Sequence, residues 1–268
     1  MGWLLHVLSL EIRKFFAYRV AFWVKFIIGT VTELTIAYYL WGAIFESTGQ
    51  ATIGGYSFHG LLYYTVFAAL GSKVVQSLDR GGFISDDIYQ GGLSRYLLYP
   101  VPYLAYRYMT FLSQQLVAIA QLLLGFFVAT RIWDLPPDLA ITPASVALGV
   151  ATALLCGTLM FLLNSALEMV AFWQDTVWNL LAMLRFIGNL LGGLLVPLSM
   201  FPAWGRAAVA FTPFPIAFSF PIRCFLGRVG PAEWIRSIGL LGVWVAVMGA
   251  VVALIWRRGT RIYSGVGI

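Results

Sequence analysis

Long apolar runs, separated by short polar punctuation, organise this chain. Hydrophobic stretches of about twenty residues or more suffice for an α-helix to cross a ~30 Å hydrocarbon layer. They predict six spanning helices near residues 20–45, 58–78, 103–132, 143–168, 176–198 and 234–256. Outer-membrane barrels alternate apolar and polar positions in segments of about ten residues, which is not the pattern here. Ahead of the first span, Trp3, Leu4, Val7, Leu8, Ile12, Phe15 and Phe16 recur at helical spacing, with His6, Ser9, Arg13 and Lys14 between them. That predicts an amphipathic helix over residues 1–19, lying in the membrane interface. It lacks the small-residue cleavage site of a signal peptide. Residues 20–268 read as one transmembrane domain, and the fold class as all-α and polytopic.

Two connections exceed simple turns. Residues 199–233 carry Pro202, Pro213, Pro215, Pro221 and Pro231 among Phe201, Trp204, Phe211, Phe214, Phe218, Phe220 and Phe225. Such an aromatic segment is expected to re-enter the bilayer as short helices broken by proline, which protein or a wet cavity must cover. The other connection spans residues 79–102. Here Ser85 is placed to cap a short helix with Asp86 and Asp87 in its first turn, and Gly91 and Gly92 to stop it. A helix this short is marginal alone, so it is expected to offer Ile84, Ile88, Tyr89 and its acidic groups to a cytosolic partner.

Composition removes the soluble alternatives. The chain is 60% hydrophobic and 10% charged over 268 residues, against roughly 45–50% and about 25% in soluble domains. Mean hydropathy is +0.85. A soluble enzyme, a disordered chain and a nucleic-acid-binding domain are excluded. The net charge of +6 reads as membrane topology. With both termini in the cytoplasm, Arg13, Lys14, Arg19, Arg80, Arg95, Arg107, Arg257, Arg258 and Arg261 lie inside, against Arg131, Arg206, Arg223, Arg228 and Arg236 outside. The excess follows the positive-inside rule.

Candidate chemistry is sparse. There is no Gly-x-x-x-x-Gly-Lys-Ser/Thr loop to cradle ATP phosphates, no His-Glu-x-x-His and no Cys-x-x-Cys. No catalytic residue and no metal site is assigned, and no cofactor is expected in the chain itself. Cys156 reads as a small buried residue. Within the spans, Glu33 and Arg185 are ionisable groups at a depth where charge is costly. Glu33 reads either as a cavity residue for a cationic substrate or as a structural partner of Arg185, and Arg185 and Asn189 are further cavity candidates. Gly188 and Gly192 permit close helix packing.

In the 79–102 loop, Gln90-Gly-Gly-Leu93 followed by Leu97-Leu98-Tyr99-Pro100-Val101 resembles the Gly-x-Leu-x-x-x-Leu-x-x-Pro pattern of ABC-2 type ABC transporter permeases. Phe16-Ala-Tyr18-Arg19 and Arg258-Gly-Thr-Arg-Ile-Tyr263 are similar to a six-span subgroup often encoded in pairs. Chain length, span number and the broken external helices agree with that family's type V exporter-like architecture. Ser94-Arg95 departs from it, since many relatives carry an acidic residue there. The resemblance implies a permease subunit that exports an amphipathic drug, lipid or peptide from a bacterial cytoplasmic (inner) membrane. It implies separate ATPase subunits that bind ATP and Mg, and a second permease, in a homodimer or a paired heterodimer. It implies ATPase coupling through Phe83, Ile84, Asp86, Asp87, Ile88, Tyr89, Gly92, Leu93 and Arg95, and a dimer interface at Gly188, Asn189 and Gly192. Membrane lipids are the remaining partner. The alternatives are a secondary transporter or channel, which often shows inverted repeats, and a membrane-embedded lipid- or glycan-modifying enzyme, for which Arg206, Arg223 and Arg228 would bind lipid phosphate.

Overall fold

The computed structural model describes residues 7–11, 13, 19–76 and 83–263. Residues 7–11 and 13 are helical; the rest of the expected interfacial helix, including 16–18 of its motif, and residues 79–82 of the loop lie outside the described residues. In chain order the helices are α1 (Arg19–Thr48), α2 (Phe58–Gln76), α3 (Phe83–Tyr89), α4 (Leu93–Leu97), α5 (Tyr103–Ile132), α6 (Pro143–Glu168), α7 (Trp178–Leu191), α8 (Ala203–Val209), α9 (Phe220–Phe225) and α10 (Pro231–Ile262). A 3-10 turn, Met169–Phe172, extends α6, and a π turn, Pro215–Ser219, leads into α9. No strand occurs among the described residues beyond one isolated bridge, Ile53 to Tyr56.

Local chemistry sets several boundaries. Thr142 and Ser145 form a capping box at the start of α6, with Pro143 in its first turn, which satisfies N–H groups that the helix cannot. Pro231 opens α10 in the same way, after Gly230. Among the described residues, four segments are long and apolar enough to cross a membrane: 26–48 of α1, α5, α6 with its 3-10 extension, and α10.

α2 is the central pillar. It is buried along nearly its whole length, packed against α1, α5, α6, α9 and the π turn. Phe67 of α2 stacks on Phe225 of α9 with ring centroids 4.8 Å apart and planes at 9°. The Phe225 ring in turn lies over Gly149 of α6, so a methyl group there would strike it. Gly149→Ala is therefore expected to destabilise the protein by about 1–3 kcal/mol through overpacking; unfolding of the purified protein in detergent checks this, and unchanged stability would show that the ring does not need that space.

The fifth expected span, 176–198, is shorter than its apolar run suggested. α7 ends at Leu191 after 14 residues, a rise of about 21 Å against a ~30 Å hydrocarbon core. Gly193, at φ +81°, turns the chain away. The space beyond is filled from the other side. The Pro215–Ser219 turn and α9 descend into the bundle, with Ala217, Phe218, Ile222, Cys224 and Phe225 buried. Ile216 reaches the middle of α6, where the Cys156 thiol donates to its carbonyl at 3.1 Å. Of the expected segment 199–233, the π turn and α9 are thus covered by protein, whereas α8 is mostly exposed.

Candidate functional site: the braced loop and two cavities

The 83–97 region is a short helical arm held against one end of the bundle. Gly91, at φ +71°, ends α3, because this left-handed turn suits a residue without Cβ. The start differs from the expected Ser85 cap. The helix begins at Phe83, and Ser85 is buried inside it. The cap comes from another element: the Glu168 carboxylate, at the end of α6, accepts the backbone N–H of Ile84 at 2.6 Å and that of Ser85. A carboxylate there satisfies donors that have no partner within the helix.

The apolar face of α3 turns inward, contrary to the expected cytosolic exposure of Ile84 and Ile88. They are 3% and 7% exposed, and with Leu93 they join Tyr103, Met169, Val177, Leu181 and Val252 in an apolar cluster of their own. A short helix with two isoleucines gains more from this ready-made surface than from water.

Asp87 is likewise internal. It pairs with Arg107 of α5 and accepts the Tyr103 hydroxyl. The Arg107 guanidinium lies between the rings of Phe83, Tyr96, Tyr103 and Tyr106, at 5.3–5.7 Å from their centroids, a cation–π cage. Tyr103 stacks on Trp256 of α10 at 5.3 Å. Gly92 packs directly on Asp87. Three long helices therefore meet the arm: α5 through Arg107, α6 through Glu168 and α10 through Tyr263 at its C-terminal end, whose hydroxyl lies 3.5 Å from that of Ser94. What the arm leaves outward is Asp86, Gln90, Arg95, Leu97, Leu98 and Tyr99, with Leu98 86% exposed. Phe83 and Tyr89 are half-buried.

Behind the arm lies a cavity of about 70 Å³, whose polar lining includes Gln76, Arg107, Gln114, Asn164, Glu168 and Arg185. This volume suits a few waters and is far below the ~300–1,000 Å³ of drug-sized sites. Arg185 faces this chamber, whereas Glu33 is exposed on the outer face of α1. Among the described residues no ion pair joins them, so the structural Glu33–Arg185 pairing is not made. Asn189 accepts a hydrogen bond from the Gln76 amide of α2 at 2.8 Å. Gly188 and Gly192, expected at a dimer interface, face Phe214 and Phe218 of the re-entrant segment in the same chain. Their missing Cβ atoms seat that segment on α7. Among the described residues no three His, Cys, Asp or Glu side chains gather to hold a metal ion.

A second cavity, of about 650 Å³, opens at the other end of the bundle and is lined by Tyr56, Arg206, Arg223 and Arg228 among others. Arg228 pairs with Asp138 at 3.2 Å, and its guanidinium lies 3.8 Å from the Tyr56 ring centroid. Burial pushes the Tyr56 hydroxyl above its usual range, against the pull of Arg228, so this phenol stays neutral. Arg223 pairs with Glu233 at 2.7 Å.

Residue patterns had marked the loop, the re-entrant segment and the three arginines. They missed the capping role of Glu168 and the bracing role of Arg107. A carboxylate closing the apolar run 143–168 and an arginine four residues after the start of the span 103–132 were the available signals. In comparison with known families, residues 31–267 match the family described as ABC-2 family transporter protein. No curated protein and no solved structure matches the chain.

Proposed function

The chain belongs to the ABC-2 family of transporter proteins, and we propose that it is the permease subunit of an ATP-driven exporter. On this reading ATP and Mg are bound by separate ATPase subunits. The α3–α4 arm faces the cytoplasm and receives them, with both chain termini on that side. The observation that carries the reading is the contrast within the arm: three long helices fix its inner face, while its outer face presents the exposed Leu97, Leu98 and Tyr99 beside Asp86, Gln90 and Arg95. A rigid arm with an exposed apolar tip can pass a push from a docked ATPase into α5, α6 and α10 as a rigid-body movement.

A second permease subunit completes the unit, as a homodimer or a paired heterodimer. α7 supports this. It is short for the hydrocarbon core and exposes Met183, Phe186 and Leu190 on one face. A short apolar helix is relieved of mismatch when protein covers it. The small inner chamber is too tight for an amphipathic drug, lipid or peptide, so the substrate path runs between the two permease subunits. Exposed Glu33 is a candidate to line that path.

The test is co-purification with the partner ATPase and measurement of ATP hydrolysis in proteoliposomes. Leu98→Asp places a charge on an exposed apolar contact and is expected to cut permease-dependent hydrolysis at least tenfold, as burying an unpaired charge in an interface does, while unfolding stays unchanged. Full hydrolysis and intact co-purification with Leu98→Asp would remove the arm tip from the contact.

A further inference from the structure

We infer that the cavity opposite the α3–α4 arm is a binding site for the anionic, phosphate-bearing headgroup of a membrane amphiphile. The site does not depend on whether the protein transports that ligand. Its volume of about 650 Å³ matches a drug-sized or headgroup-sized ligand. Three arginines reach it from two elements and a turn: Arg206 on α8, Arg223 on α9 and Arg228 just after α9.

Two of the three are held in place by acids. Arg228 is fixed by Asp138, by the Gly55 carbonyl at 2.7 Å and by the Tyr56 ring. Arg223 is tied to Glu233, and also donates to the Arg228 carbonyl at 3.4 Å. Arg206 has only a backbone acceptor, Ser199, at 3.3 Å; among the described residues no carboxylate pairs with it. The cluster thus keeps an uncompensated positive charge on a guanidinium free to turn toward a ligand. Guanidinium groups bind phosphate through paired N–H donors, and bind it more strongly than neutral donors do.

The source of the phosphate follows from the rest of the wall. Leu198, Val209, Ile216, Phe220 and Leu240 give the same cavity an apolar side. A free inorganic anion has no use for one. Beside Arg206, Trp204 is 77% exposed and Phe211 84% exposed. Bulky aromatics flanking a basic residue mark the level where headgroups meet acyl chains. The basic lining, the apolar wall and the aromatic flank together match the two parts of a lipid, its phosphate and its tails.

The experiment uses the purified full chain in detergent, titrated with phosphatidylglycerol or phosphatidylcholine, with bound lipid counted by native mass spectrometry. Phosphatidylglycerol is expected to bind at least tenfold more tightly than phosphatidylcholine. Arg206→Gln is expected to weaken phosphatidylglycerol binding about tenfold, and Arg206→Glu further, without changing phosphatidylcholine binding. Arg206 is exposed, so the thermal midpoint should not move. Equal binding of the two lipids, or undiminished phosphatidylglycerol binding in both Arg206 variants, overturns the site. Inorganic phosphate is the competing probe: failure to displace the lipid at equal concentration supports the lipid source, and displacement overturns it in favour of a soluble anion.

Discussion

Asp87→Ala is expected to lower the stability of the protein by about 3 kcal/mol and to bring permease-dependent ATP hydrolysis close to its unstimulated level. The two effects share one cause. Asp87 and Arg107 are largely shielded, with side-chain exposures of 16% and 11%, and removing one partner leaves the other as an uncompensated charge in a ring-lined site. The Tyr103 hydroxyl loses its acceptor as well. Without that grip the arm is no longer anchored to α5, and a push on its tip moves the arm alone. Asp86→Ala is the matched control. Asp86 is the neighbouring acid but lies exposed, so its loss is expected within about 0.5 kcal/mol of zero. Denaturant unfolding in detergent reads the two variants side by side, and hydrolysis in proteoliposomes reads Asp87→Ala against the unaltered protein. Equal stability of Asp87→Ala and the unaltered protein would mean that the ion pair is not a brace.

The second large effect is expected at Glu168. Glu168→Ala removes the acceptor for the Ile84 and Ser85 N–H groups. Both residues are buried, and an unsatisfied buried donor costs about 1–3 kcal/mol. Glu168→Gln keeps a carbonyl oxygen at the same reach and is expected to recover most of the loss. Glu168 and Asp87 both hold the same seven-residue helix. Once Asp87→Ala has loosened the arm, adding Glu168→Ala should therefore cost less than it does alone. A double-mutant cycle measures this difference; strict additivity, within about 0.5 kcal/mol, would show that the two grips act on separate structures.

Much of the fold was legible because run length and capping chemistry are local. The third and fourth expected spans, 103–132 and 143–168, coincide with α5 and α6, the one preceded by Pro102 and the other begun by Pro143. The fifth was misjudged for a physical reason. Gly192 and Gly193 hardly alter the apolarity of their run, yet they end the helix, so hydropathy overstated its length. For the arm, the sequence displayed an amphipathic face but not the surface that it covers. Ile84 and Ile88 look the same whether they await a partner or rest on Met169 and Leu181. The Glu168 cap lies 84 residues from the backbone it holds, beyond any local capping pattern. Arg107 read as a topology charge because its four aromatic neighbours come from three separate helices. Likewise, glycines that admit Phe214 and Phe218 leave the same trace as glycines that admit another subunit.

The sheathing of α2 has a consequence for how the protein is made. Its side chains face neighbours rather than acyl chains, and it carries Tyr63, Tyr64, Ser72, Lys73 and Gln76 within 19 residues. Among the described residues it is not one of the segments that qualify for a membrane on apolar length alone, so packing against its neighbours adds to what lipid offers it. Yet α5, α6 and α9, which enclose it, are synthesised later. Of its long neighbours, α1 alone precedes it, so the emerging chain must hold the first two helices together as a hairpin until the rest arrive. The centre of the finished molecule is thus completed by helices made after it.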